Sequence, residues 1–306
     1  MKNIEWLMSG DPIINRLARK YLLDEDVKTV HDGYIQAYLD LYNPHKYQWG
    51  GGFYSPKWVS THYTLLELTD MEMDGSHPIY QDAYQHLFDD LWQRYHQPPR
   101  QYLDMCIAGM LLRMASHSSI FNQRTFDMID YILDHAMLDG GWNCRWSKKD
   151  KAKISSVHTT LSILEGLDAY QHTHETYRQD QVQPAIDSGI QCLLDRKLLF
   201  KKGTLQALHK DMIHHHYPPR WKYDYLRVLE FLAQRKYPLN AYIEPSLKLL
   251  MNHLKHGRLT RGSQIPGKIH FRLEKGPYGR FNTLRAYKVL KHFRPKLFKE
   301  LLYMDV

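Results

Sequence analysis

Arg220, Trp221, Tyr223, Asp224 and Arg227 crowd into a single stretch, Pro218-Pro219-Arg220-Trp221-Lys222-Tyr223-Asp224-Tyr225-Leu226-Arg227. An arginine can clamp a carboxylate or phosphate through two parallel N–H bonds, and aromatic faces take the apolar or sugar-like part of a ligand. The competing reading is that Asp224 pairs with one of the arginines as a structural link. His214-His215-His216 precede this stretch, but consecutive histidines in a loop cannot all face one point, so they are a weak metal signal. Cys144 and His158 could form a nucleophile–base pair, although sequence position says nothing about their distance. There is no G-x-S-x-G elbow, and Gly50-Gly51-Gly52 lacks the Lys-Ser/Thr and the preceding strand of a phosphate loop.

Such residues need elements to hold them, and one arrangement recurs. Asp139-Gly140-Gly141-Trp142-Asn143-Cys144-Arg145-Trp146 is a glycine turn with aromatic and polar residues. It leads to Ser155-Ser156 as N-cap candidates and then to apolar residues at helical spacing: Val157, Leu161, Leu164 and Leu167. Histidine 158 falls in the first turn. An earlier copy runs from Gln48-Trp49-Gly50-Gly51-Gly52 through Trp58 into a helix over 59–68, and His62-Tyr63-Thr64-Leu65 aligns with His158-Thr159-Thr160-Leu161. Weaker copies begin at Tyr217 and at Gly276, the last leading into Asn282-Thr283-Leu284-Arg285. Further helices are expected from Asp11-Pro12 to about Leu23, over 33–41 and at about 78–95, 100–117, 122–137, 180–197 and 240–254. No period-two alternation or Val/Ile-rich run predicts a sheet. Helices between short Gly/Pro turns predict an all-α array of hairpins, and no low-complexity linker divides residues 1–306, so one domain is expected.

The chain has 306 residues, 43% of them hydrophobic and 24% charged, as in ordinary globular proteins. Its 22 Tyr, 7 Trp and 19 His suit an aromatic-lined interior or cleft. The net charge of +8 is scattered among helix-forming apolar residues, so it reads as a solvated basic face and nucleic acid is not an expected partner. The N-terminus lacks the apolar stretch of a secretory signal, and no apolar run approaches the ~20 residues that span a bilayer. Three cysteines form no disulfide framework. A cytoplasmic location with reduced thiols is expected.

At Asp139–Arg145, Ser156–Thr160, Leu164-Glu165-Gly166-Leu167, Pro218–Arg227 and Asn282–Arg285, the chain resembles the α/α-toroid superfamily of squalene and hopene cyclases and protein prenyltransferase β-subunits. Within it, the chain is similar to bacterial prenyltransferase-like or squalene-cyclase-like proteins. The resemblance implies an α/α toroid, a barrel of helical hairpins whose repeat loops gather at one end around a cavity. Trp58, His62, Trp142, His158, Trp221, Tyr223, Asp224, Arg227 and Arg285 are the expected ligand-binding residues. Trp142, His158, Trp221, Tyr223, Arg227 and Arg285 should converge, because they hold related places in the repeats.

Departures from the enzymes are plain. The D-x-D-D acid of class II cyclases is missing, since Leu87-Phe88-Asp89-Asp90 lacks the leading carboxylate. Asp89-Asp90-Leu91-Trp92-Gln93 is not the magnesium-binding D-D-x-x-D. The resemblance therefore carries fold and cavity but not cyclase activity. Prenyltransferase β-subunits hold zinc through Asp, Cys and His, which draws notice to Asp139, Cys144 and His158, with Asp104 and Cys106 nearby. The basic insert Lys148-Lys149-Asp150-Lys151 opposes a dication, and Asp139 is suited to fixing its Gly-Gly turn, so no metal and no cofactor are expected. The reading is a protein that recognises, or also transforms, a small or isoprenoid-like ligand. A non-enzymatic interaction scaffold and a carbohydrate-active enzyme on a similar barrel are the alternatives.

Overall fold

The computed structural model describes residues 1–95, 102–147, 151–201, 203–204 and 206–306. Among them the secondary structure is helical, and β-pairing is limited to isolated bridges such as Asn43 with Gln48 and Thr260 with Tyr278. No described helix is long and apolar enough to cross a membrane. The chain forms two compact units, one of Met1–Tyr38, Leu194–Pro266 and His270–Val306, the other of Leu39–Leu193 and Gly267–Ile269.

The first unit opens with α1 (Asn3–Met8), α2 (Pro12–Leu22) and most of α3 (Gly33–Leu39). Asp11 caps α2, its carboxylate accepting from the Ile13 N–H at 3.0 Å, and Pro12 occupies the first helical position, where no N–H is needed. The second unit holds α4 (Thr61–Asp70), α5 (Pro78–Tyr95), α6 (Met105–Ser118), α7 (Gln123–Leu133), α8 (Val157–Gln171) and most of α9 (Gln179–Leu194). The chain then completes the first unit with α10 (Tyr225–Gln234), α11 (Glu244–His253), α12 (Arg280–Phe293) and α13 (Pro295–Leu302). The expected helix over 100–117 starts at Met105, and positions 100 and 101 lie outside the described residues. The sequence pattern did not mark the short α1 and α13; the latter begins at Pro295, within Lys291-His292-Phe293-Arg294-Pro295-Lys296, whose residues are mostly basic.

Helices of two kinds make up each unit. In α4 every residue from Thr61 to Thr69 is buried, and α6 and α8 are buried along most of their length. By contrast α7 buries one face only, through Met128, Ile129, Tyr131 and Ile132. The first unit has the same contrast between α10 and α12, which are largely buried, and α11 and α13, which bury two or three residues each. A helix apolar on most sides must be enclosed by others, whereas a one-sided helix can face water.

The loops are tied to the buried helices by one recurring bond. The main-chain N–H of Trp49 donates to Thr61 Oγ1 at 3.0 Å, that of Trp142 to Thr160 Oγ1 at 3.0 Å, and that of Leu259 to Thr283 Oγ1 at 3.0 Å. Before α10 the acceptor is Asp224, which takes the His216 N–H at 3.1 Å. A side-chain oxygen in or beside the first helical turn thus satisfies a loop donor that burial would otherwise strand. The sequence alignment set Thr64 opposite Thr160, yet the bonding residue in α4 is Thr61, three positions earlier and on the same face of the helix.

Candidate functional site

Four of the expected ligand-binding residues, Trp58, His62, Trp142 and His158, belong to the second unit; Trp221, Tyr223, Asp224, Arg227 and Arg285 belong to the first. Within the second unit, the loop before α4 folds onto the helix start, with the Thr61 N–H bonded to Gly52 O at 3.0 Å and the His62 N–H to Phe53 O at 2.8 Å. His62 is wholly buried, and neither ring nitrogen has a hydrogen-bond partner among the described residues. Tyr54 and Tyr63 meet its ring edge-to-face at 5.3 and 4.9 Å. Trp58 packs on Tyr63 at 4.6 Å, and Lys57 Nζ lies 5.1 Å from the Tyr54 ring and 5.6 Å from that of Trp58. Burial, assisted by the Lys57 charge, pulls the His62 pKa down to about 3, so the imidazole is neutral at physiological pH.

Trp142 is fully buried, and its indole N–H donates to Ile132 O at 2.8 Å. His158 is half-buried in the first turn of α8. Asp139 accepts from both the N–H and the hydroxyl of Ser155, at 3.0 and 2.9 Å, while Cys144 Sγ lies 3.4 Å from Thr159 Oγ1. Among the described residues no group of three or more His, Cys, Asp or Glu side chains could hold a metal ion. Lys148-Lys149-Asp150 lie outside the described residues.

In the first unit, Asp224, Arg227 and Arg285 do come together, around His216. Asp224 Oδ2 accepts from the His216 N–H and is 3.0 Å from His216 Nδ1, while Oδ1 accepts from the Arg227 N–H at 2.9 Å. Burial works against the Asp224 charge, but His216 and Arg285 outweigh it and hold the carboxyl below its usual range. Arg285 donates to Glu230 at 2.6 Å and to His216 O at 3.0 Å; Arg227 donates to Lys222 O at 3.0 Å. Tyr223 is buried, with its hydroxyl on Leu198 O at 2.7 Å, and Trp221 is half-buried. The carboxylate that sequence reasoning offered as an arginine's structural partner is a helix cap and the hydrogen-bond partner of a histidine, with the Arg285 charge acting on it as well. Arg285 finds its own carboxylate in Glu230.

A cavity of about 320 Å³ opens elsewhere in the first unit, lined by Asp11, Tyr34, Glu274, Lys275 and Arg280 among others. Glu274 accepts from the Asn282 N–H at 2.8 Å and caps the start of α12. Its burial outweighs these backbone bonds and pushes the carboxyl up to about 7. Burial also raises Asp11, against the N–H bonds of Ile13 and Tyr34. Arg280 is oriented by bonds to Trp6 O at 3.0 Å and to Ser9 Oγ at 3.3 Å. Lys275 Nζ lies 5.6 Å from the Tyr34 ring. A second cavity of about 520 Å³ adjoins at Gly10 and is lined by Arg16, Arg19 and Lys28 with Asp26 and Asp32. Only Asp11 among the lining residues of the smaller cavity drew notice in the sequence, as a helix cap; Glu274 and Lys275 carry no motif that would single them out.

Comparison of the chain with family models, with curated proteins and with solved structures gave no match.

Proposed function

We propose that this chain is a helical-repeat protein of the α/α-toroid type that binds a small ligand, with the cavity at Asp11 and Glu274 as its binding site. The toroid reading is supported by the alternation of enclosed and one-sided helices, by the loops tied to the starts of α4, α8, α10 and α12, and by the resemblance to prenyltransferase-like and squalene-cyclase-like proteins. The observation that carries the ligand reading is the cavity itself. Its volume of about 320 Å³ suits a small molecule, and two carboxyl groups raised by burial face it together with Lys275, Arg280 and Tyr34. A lining of this polarity favours a hydroxylated, sugar-like compound. A carboxyl that titrates at about 7 can also hold a proton for a bound oxygen, the requirement for acid–base turnover.

The aromatic cluster around His62 favours a second reading. A neutral imidazole with two unpartnered nitrogens, flanked by Tyr54 and by Tyr63, on which Trp58 packs, offers an apolar wall and one polar handle. That combination suits an isoprenoid-like ligand and requires the Phe53–Trp58 loop to move aside.

Thermal-shift and native mass-spectrometric screening with a panel of monosaccharides and polyols, and a second panel of prenyl alcohols and prenyl diphosphates, separates the two. Binding that Lys275→Ala and Glu274→Gln weaken, with His62→Phe unaffected, supports the first site. Binding of prenyl compounds lost only in His62→Phe supports the second. No saturable binding from either panel overturns both.

A further inference from the structure

Two thiols meet in the second unit from elements far apart in sequence. Cys106 occupies the first turn of α6, just after Met105, and Cys144 lies in the loop that follows the Gly140-Gly141 turn. The Cys106 main-chain N–H points at Cys144 Sγ at 3.3 Å, and the Thr159 hydroxyl at the start of α8 is 3.4 Å from the same sulfur. The main-chain contact therefore sets Cys144 beside the residue that carries the second thiol. Both residues are partly exposed, whereas Cys192 is buried with its sulfur 2.9 Å from Ser155 Oγ. Donors converge on one sulfur. The Cys106 thiol, the Thr159 hydroxyl and the Cys106 N–H lower the Cys144 pKa against burial and Asp104. Cys106 is raised, chiefly by the neighbouring Cys144 and then by burial. A sulfur at a helix N-terminus, ringed by donors and reachable from solvent, is the environment that makes a thiolate reactive, and the thiol of the residue whose N–H it meets is placed to resolve its oxidation.

We propose that Cys106 and Cys144 are a peroxide-reactive dithiol, Cys144 the attacking thiolate and Cys106 the resolving thiol. The proposal is independent of the ligand-binding reading. Cys144 attacks one oxygen of a hydroperoxide, the O–O bond breaks, and the leaving oxygen takes a proton to become water or an alcohol. Cys144 is left as a sulfenic acid. Cys106 then loses its proton and attacks the Cys144 sulfur; the S–O bond breaks and water departs. Two thiols and one hydroperoxide thus give one disulfide, one water and one further water or alcohol, the peroxide gaining the two electrons that the sulfurs lose. The product ties the 139–147 loop to the first turn of α6 until a dithiol reductant releases it.

The test uses the full chain, reduced and then treated with hydrogen peroxide, followed by intact-mass measurement and peptide mapping. The expected result is loss of two hydrogens and a Cys106–Cys144 linked peptide that dithiothreitol reverses. Cys106→Ser should show a several-fold rise in dimedone labelling at Cys144, because the sulfenic acid is no longer resolved, and Cys192→Ser should behave as the unaltered chain. The proposal is overturned if the unaltered chain gives no linked peptide, or if Cys192 pairs in place of Cys106. It is also overturned if dimedone labels Cys144 equally with and without Cys106. Circular dichroism of Cys106→Ser establishes that the variant is folded, and the linked peptide of the unaltered chain decides the matter by itself if it is not.

Discussion

Gly109 of α6 and Gly166 of α8 lie against each other so closely that a Cβ on Gly166 would stand 2.3 Å from the Gly109 carbonyl oxygen. A Cβ on Gly109 would meet the Ser162 carbonyl oxygen at 2.4 Å. Two largely buried helices of the second unit therefore touch backbone to backbone, and no side chain can yield to relieve an added methyl. Gly166→Ala should cost about 1–3 kcal/mol through overpacking, despite the better helix propensity of alanine. A denaturation midpoint at or above that of the unaltered chain would contradict this contact.

Thr160 provides the acceptor for the buried Trp142 N–H at 3.0 Å. Replacing it with valine keeps the shape and strands the donor, which should cost about 1–3 kcal/mol. Thr160→Ser keeps the oxygen and should recover most of that loss. Equal stability of the two variants, measured by urea unfolding, would show that the bond is not what pins the loop.

His62 makes no hydrogen bond among the described residues that a substitution could break, and its pKa of about 3 lies below the ordinary 6.5. The unfolded chain takes up a proton at 6.5 that the folded chain refuses, so His62 contributes a loss of stability as pH falls from 6.5 toward 3. His62→Phe should fold within about 1 kcal/mol of the unaltered chain at pH 8. It should also remove that acid-side loss. A large destabilisation at pH 8 would mean that the imidazole has a polar partner.

Glu274 works in the opposite sense. Its folded pKa of about 7 exceeds the ordinary 4.5, so between these values the folded chain holds a proton that the unfolded chain has released. Stability therefore falls as pH rises from 4.5 through 7. Glu274→Gln should flatten that decline while keeping an oxygen for the α12 N–H groups. Thermal unfolding across pH 4.5–8 reads the difference, and parallel profiles for the two proteins would refute the assignment.

Glu230 anchors Arg285 at 2.6 Å and Lys288 at 2.7 Å. Although burial opposes ionisation, the two cations hold its carboxyl down to about 2, against an ordinary 4.5. Its contribution is fully present above pH 4.5 and is lost as pH falls toward 2. Glu230→Gln should cost about 3–5 kcal/mol at pH 7, because Arg285 stays buried without its counter-charge. A cost below about 1 kcal/mol would class the pair with exposed bridges.

Periodicity and turn chemistry made most of the helices legible. Asp11-Pro12 marked the start of α2, and the spacing of Val157, Leu161, Leu164 and Leu167 marked α8, because caps and amphipathic stripes are local properties of the chain. Register between the copies was less legible. Thr61 and Thr64 lie on the same face of α4, one turn apart, so the pattern could not say which of them reaches the loop.

The candidate site was legible in part. The sequence offered Asp224 as a ligand-binding residue or as an arginine's structural partner; its partner His216 was not legible, since a run of three histidines does not tell which ring turns inward. The cavity at Glu274 had no local signature, because its carboxyls are raised by what packs over them. Cys106 and Cys144 likewise stand 38 positions apart, and only the packing of a loop on a helix start brings the Cys144 sulfur to the Cys106 N–H. Sequence by itself determined where the chain turns, which stretches are helical and which faces are apolar, because these depend on neighbours a few residues away. Tertiary structure alone decided which polar groups are satisfied, which carboxyls and imidazoles are buried, and which thiols come close, because burial and proximity across long sequence separations exist only once the helices have packed.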